Sequence, residues 1–108
     1  MEQKPAHMVV LITASSSDEA RAIGKTLVER RLAACVNIAP GVRSLFRWRG
    51  EIEDQEEALM VVKSRAELLP SIIEAVKQVH SYTVPEVIAI PILAGSTDYL
   101  AWLDESVE

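Results

Sequence analysis

Few side chains in this chain are suited to chemistry, and they are scattered along it. His7, His80 and the single cysteine, Cys35, are its only imidazole and thiol groups. A Cys/His nucleophilic pair needs an imidazole within hydrogen-bond reach of the thiol. His7 belongs to the polar lead MEQKPAH, read as a frayed terminus over residues 1–7, so only His80 could serve. Cys35 stands in the apolar stretch LAACVNI, where a lone cysteine usually behaves as a small buried hydrophobe. His80 closes a helical pattern beside Tyr82, Pro85 and Glu86. Imidazole and carboxylate both bind divalent metals, and a helix end leaves carbonyls free as further acceptors. A histidine at that position equally suits capping of its own helix terminus.

Lys63 follows an apolar run and precedes Ser64. It is placed either to hold an anion or to be solvated. Trp48, Tyr82, Tyr99 and Trp102 could line a pocket or pack. The chain has no P-loop, no dinucleotide glycine fingerprint, no cysteine pair and no His-x-x-x-His pair. These residues alone name no reaction.

The elements that must position them are easier to read. With 108 residues, 49% hydrophobic and 25% charged, the chain fits one domain over 1–108 with a moderate core. A formal net charge of −5 argues against general binding to nucleic acid or an anionic membrane. One cysteine excludes an internal disulfide framework and suits a reducing, cytoplasmic setting. The N-terminal lead lacks the pattern of a signal peptide, and no apolar stretch is long enough to span a membrane.

The longest feature runs from Leu32 to Arg65 and reads as two strands folded back at Gly50. Val42, Ser44, Phe46 and Trp48 alternate with Arg43, Leu45, Arg47 and Arg49, the period of a strand. Pro40-Gly41 interrupts the first arm as a bulge or kink on an edge strand. The second arm carries Glu51, Glu53, Asp54, Glu56 and Glu57, opposite in sign to the arginines, then the apolar run Ala58–Val62. Gly50 could take either central turn position, so the register is open. The arms outreach a small domain's sheet, and Phe46 and Trp48 on an exposed edge predict contact with another chain.

Around the hairpin, Met8–Ala14 predicts a central strand covered on both faces. Ser16 and Glu19 have capping-box spacing for a helix from about Ser17 to Arg31. Gly24 on its apolar face suggests close approach to the sheet. Ser64 and Glu67 repeat that spacing, but Pro70 leaves two choices: a short turn before a helix near Pro70, or a distorted first turn. That helix ends near Val79. Val87–Leu93 is an edge strand marked by Pro91, and Ser96 or Thr97 caps a final helix over Asp98–Ser106. The order predicts an α+β, ferredoxin-like βαββαβ sandwich with a long β2–β3 hairpin and a C-terminal helix. Right-handed crossovers place the first and third strands centrally.

LAACVNIAPGVRSLFRWRG (Leu32–Gly50), EEALMVVKSR (Glu56–Arg65), HSYTVPEVIAIPI (His80–Ile92) and DYLAWL (Asp98–Leu103) closely resemble the CutA-type divalent-cation tolerance proteins. The resemblance covers nearly the whole chain. It implies a ferredoxin-like protomer in a homotrimer with interlocking hairpins, located in the cytoplasm, with no enzymatic activity and no cofactor required for folding. It also implies binding of copper or another divalent cation. A likeness of fold to trimeric nitrogen-regulatory signalling proteins implies, by analogy, an alternative role as a sensor of a small anion bound between subunits. The expected inter-subunit pocket contains Cys35, Trp48, Lys63, His80, Tyr82 and Glu86. Some members of the family carry a cysteine where this chain has Ile12, and a His-His pair where it has Val79 and His80. Ser81 also replaces their proline. The resemblance therefore implies a copper site centred on His80 alone among the usual ligands, and a weaker one.

Overall fold

A computed structural model describes residues 5–108. The expected loose lead lies outside the described residues over positions 1–4. His7 is not part of it: it opens strand β1 (His7–Ala14) and pairs with Arg65. The other elements are helix α1 (Ser17–Glu29), strands β2 (Cys35–Trp48) and β3 (Glu51–Arg65), helix α2 (Leu69–Val79), strand β4 (Val87–Pro91) and helix α3 (Thr97–Ser106). The four strands form one antiparallel sheet in the order β2-β3-β1-β4. This is the ferredoxin-like α+β arrangement, with β1 and β3 central.

One face of the sheet supports the core. Val10, Ile12, Met60 and Val62 are fully covered, and Ile23 and Leu27 of α1 with Ile72 and Val76 of α2 are buried in the same cluster. The helices meet the sheet closely. A Cβ on Gly24 would lie 3.1 Å from Val36 Cγ1, so the glycine sets the spacing between α1 and β2.

β1 is not covered on both faces as its unbroken apolar run suggests, because both long helices lie on one side. Its residues alternate between buried and half-exposed. The register places Val9, Leu11, Leu59, Val61, Ile88 and Ile90 together on the second face. α3 covers one end of that face, where Asp104 meets His7 Nε2 at 2.8 Å and pairs with Arg65.

The hairpin arms are staggered by one bulge: Ala39 faces Leu59, but Val42 faces Glu57. One residue is added in β2, at Pro40-Gly41, where proline has no N–H for a ladder. At the tip Trp48 faces Glu51, so Arg49 and Gly50 are the two turn residues. Their φ angles are +52° and +82°. A two-residue turn with positive φ at both positions matches the strand twist, and Gly50 takes its second place.

The N-cap of α1 forms as expected in one arm only. Ser16 Oγ accepts from Glu19 N–H at 3.1 Å, but the Glu19 carboxylate turns to Ser15 instead of Ser16. The second predicted capping box does not form. Ser64 stays in β3, fully buried, and donates to Leu32 O at 2.6 Å. A single 3-10 turn, Ala66–Leu68, precedes α2, and Pro70 occupies its first turn. Ser96 caps α3, accepting from Tyr99 N–H.

Candidate functional site

The C-terminal end of α2 turns back across the end of β1. His80 is the residue at the bend, and its side chain is completely buried. Its side chain does not cap its own helix; only its backbone N–H turns back, donating to Val76 O at 2.9 Å. Its Nε2 lies 2.8 Å from the carbonyl oxygen of Thr13, and its Nδ1 lies 3.0 Å from the backbone N of Tyr82. Both partners are backbone groups with fixed roles. A carbonyl only accepts, so Nε2 carries the proton; an amide N–H only donates, so Nδ1 is bare. The imidazole is thereby a neutral bridge between β1 and the loop.

Glu19 stands behind it, with Oε2 4.0 Å from His80 Nδ1. Burial pushes the Glu19 carboxyl up, but hydrogen bonds from Ser15 and Ser81 outweigh that and lower it from 4.5 to about 2. Ser81 N–H donates to it at 2.8 Å. Because the folded value is depressed, this contribution is complete above the unfolded value near 4.5 and is lost as pH falls from there toward 2. After allowance for solvent screening it amounts to roughly 1–2 kcal/mol. Acid titration of stability in wild type and Glu19→Gln should differ in that window and converge at its lower end.

Tyr82 continues the bridge. Its ring lies 4.7 Å from the His80 ring, and its hydroxyl donates to Glu57 Oε2 at 2.6 Å. Glu57 is buried, on the β3 side of the bulge. The loop is thus tied to α1, β1 and the hairpin by side chains that sequence reasoning did not connect. Glu19 read as a cap, Glu57 as one of five hairpin acids, and Thr13 contributes only its backbone. Beyond Tyr82, a groove of about 340 Å³ opens between the hairpin and the loop. Phe46 and Trp48 line one side and Ser81, Tyr82 and Val84 the other.

The expected pocket residues fall into separate places within one chain. His80 and Tyr82 touch, and Tyr82 shares the groove with Trp48. Cys35 and Lys63 face each other across β2 and β3 and meet at Asn37. The Cys35 Sγ lies 3.7 Å from Asn37 Oδ1, and Lys63 Nζ bonds the same oxygen. Burial and the adjacent Cys35 sulfur push the Tyr99 phenol up. Glu86 is exposed and makes no side-chain hydrogen bond or ion pair to the other members. Cys35 and Trp48 end a 14-residue strand, on the order of 40 Å apart at about 3.3 Å per residue.

A metal at His80 does not fit this geometry. Coordination requires a free nitrogen lone pair, whereas the Nδ1 pair accepts from Tyr82 and Nε2 holds a proton for Thr13. Among the described residues no group of three or more His, Cys, Asp or Glu is arranged to hold a metal ion.

The fold and the pinned loop define a class, a ferredoxin-like domain with an extended hairpin and, among the described residues, two open sheet edges. Residues 8–106 match the family model described as CutA1 divalent ion tolerance protein. The chain belongs to this family. It is 52% identical over 98 residues to the divalent-cation tolerance protein CutA of Thermus thermophilus, covering 91% of this chain and 95% of that protein. The CutA protein of Archaeoglobus fulgidus is 48% identical, over 94% of this chain and 99% of that one. The solved Thermus thermophilus structure superposes with a TM-score of 0.92 at 50% identity, covering 94% of this chain and 99% of that chain. The CutA1 structure from Oryza sativa gives 0.93 at 38% identity, covering 96% and 95%.

Proposed function

We propose that the chain acts in divalent-cation tolerance as a cytoplasmic homotrimer, a binding protein without catalysis, whose ligand pocket is completed between copies. The observation that carries this is the apolar surface one chain leaves open. Ile88 and Ile90 are about half exposed on the second sheet face, Leu45 and Ile52 two-thirds exposed on the hairpin, and Leu93 fully exposed. Large apolar side chains left exposed on both faces suit contact with another chain. Among the described residues the sheet has two unpaired edges, β2 and β4. Pairing the β2 edge of one copy with the β4 edge of the next is head-to-tail, a contact that closes as a ring when the rotation between copies returns to the start. The number three follows the resemblance noted above. The free Cys35 supports a reducing compartment.

Assembly also supports the six-residue pocket. Only a neighbouring copy could bring Trp48 at one hairpin tip to Cys35 and Lys63, given their separation along the hairpin. A divalent cation would then be cargo held by donors from more than one copy, and copper on His80 alone is not part of this reading. The second reading, a sensor of a small anion, draws on Lys63, whose ammonium is held by Asn37 on the open sheet face. Calorimetric titration of the assembled protein with Cu²⁺, Zn²⁺ and anionic metabolites separates the two. Cation binding that is retained in Lys63→Ala supports the first, and metal-independent anion binding lost in Lys63→Ala supports the second. No saturable binding of either class would overturn both.

A further inference from the structure

We propose that His80 is a positioning residue held as the neutral Nε2–H tautomer, which fixes Tyr82 as a wall of the hairpin groove and leaves no site for a divalent cation on its own ring while the loop is in place. The inference goes beyond the trimer and holds within one chain, whichever ligand the groove takes.

Its first support is the pattern of partners. A side-chain acceptor on residue 80 that takes the N–H of residue 82 reproduces the turn that Asn and Asp build with their own side chains. Here the acceptor is Nδ1, and the ring extends far enough for Nε2 to reach Thr13 O in β1 as well. No shorter side chain spans both. The second support is burial. The imidazole has no solvent contact, so water cannot replace either partner, and every buried side-chain polar atom among the described residues is satisfied. The third is what lies beyond the ring. Tyr82 packs against it with its ring tilted by 42°, bonds Glu57 and lines the groove opposite Trp48. A cation that took the Nδ1 lone pair would displace Tyr82 N–H and break the turn that orients this wall. Cation binding at His80 and the ordered loop therefore exclude each other.

The test is long-range ¹⁵N–¹H correlation on uniformly labelled wild-type protein, before and after one equivalent of Zn²⁺ per chain. The expected His80 pattern is a protonated Nε2 and a bare Nδ1, unchanged by Zn²⁺. A protonated Nδ1 tautomer, or a Zn²⁺-dependent shift of either His80 nitrogen, would overturn the proposal. Amide exchange of Tyr82 gives the second arm. His80→Asn keeps an acceptor for this N–H and should retain protection, whereas His80→Ala should exchange at least tenfold faster. Equal protection in His80→Ala and wild type, or loss in His80→Asn as large as in His80→Ala, would remove the turn-forming role. If His80→Ala fails to fold, the tautomer measurement and His80→Asn decide alone.

Discussion

Wild-type protein at micromolar concentration should scatter light as three protomers of 11.9 kDa each, and the double variant Ile88→Lys/Ile90→Lys should scatter as one. Both isoleucines lie on β4, opposite Leu11 and Val9 of β1, on the sheet face that carries no long helix. Fully burying a large aliphatic side chain contributes about 1.5–3 kcal/mol, and Ile88 and Ile90 are the two about half-exposed members of the second face. Placing a lysine at each β4 position removes that gain and sets unpaired charge in a desolvated contact. Several kcal/mol of further cost are expected, enough to reverse assembly at micromolar concentration. Neither substitution touches the core face, which is built by Val10, Ile12, Met60 and Val62. The circular dichroism of the monomer should therefore stay that of an α+β protein. A monomeric wild type would remove the trimer, and a trimeric double variant would remove this face from the interface.

Tyr82→Phe should destabilise the protein by about 2–3 kcal/mol, the cost of leaving a buried charged acceptor without its donor. The Tyr82 hydroxyl donates to Glu57 Oε2 at 2.6 Å, the short range of a charge-assisted bond. Glu57 is only 6% exposed, so water cannot take the place of the lost hydroxyl. Replacing both partners, as Tyr82→Phe with Glu57→Leu, should cost less than the two single losses combined. Denaturant unfolding of the four proteins measures that coupling. The same pair predicts an alkaline limb. Burial first, then the Glu57 carboxylate, pushes the Tyr82 phenol well above its ordinary 10.0. Its contribution is full below that unfolded value and falls as pH rises toward the folded one. Tyr82→Phe should lack the limb. An unchanged midpoint in Tyr82→Phe would show that the bond adds nothing.

Periodicity, two prolines and the right-handed crossover rule together determined the sandwich. Alternation along Val42–Trp48, the helical stripe from Ala20 to Val28 and the positions of Pro40 and Pro91 order the strands under that rule, because burial obeys local geometry. The hairpin register was decided only by the folded pair. One extra residue at Pro40-Gly41 shifts the parity of β2, so even-numbered Phe46 and Trp48 share a face with odd-numbered Cys35 and Asn37. A bulge of unknown size leaves that parity undetermined in a linear string. Ser64 and Glu67 show the opposite failure. Their spacing satisfies a capping rule, yet the continuing β1–β3 ladder holds Ser64 in the strand, where it bonds Leu32.

The site divides in the same way. His80, Tyr82 and Trp48 were legible as residue types that chemistry uses, and the first two meet because only one residue separates them. Glu19 and Glu57 lie 62 and 25 residues from the partners they hold, Ser81 and Tyr82 respectively. No local pattern records such contacts. The role of His80 was the most dependent on folding. Its sequence position suits a metal ligand or a helix cap. Tertiary structure selects the bridge by placing a fixed acceptor, Thr13 O, and a fixed donor, Tyr82 N–H, on the two ring nitrogens.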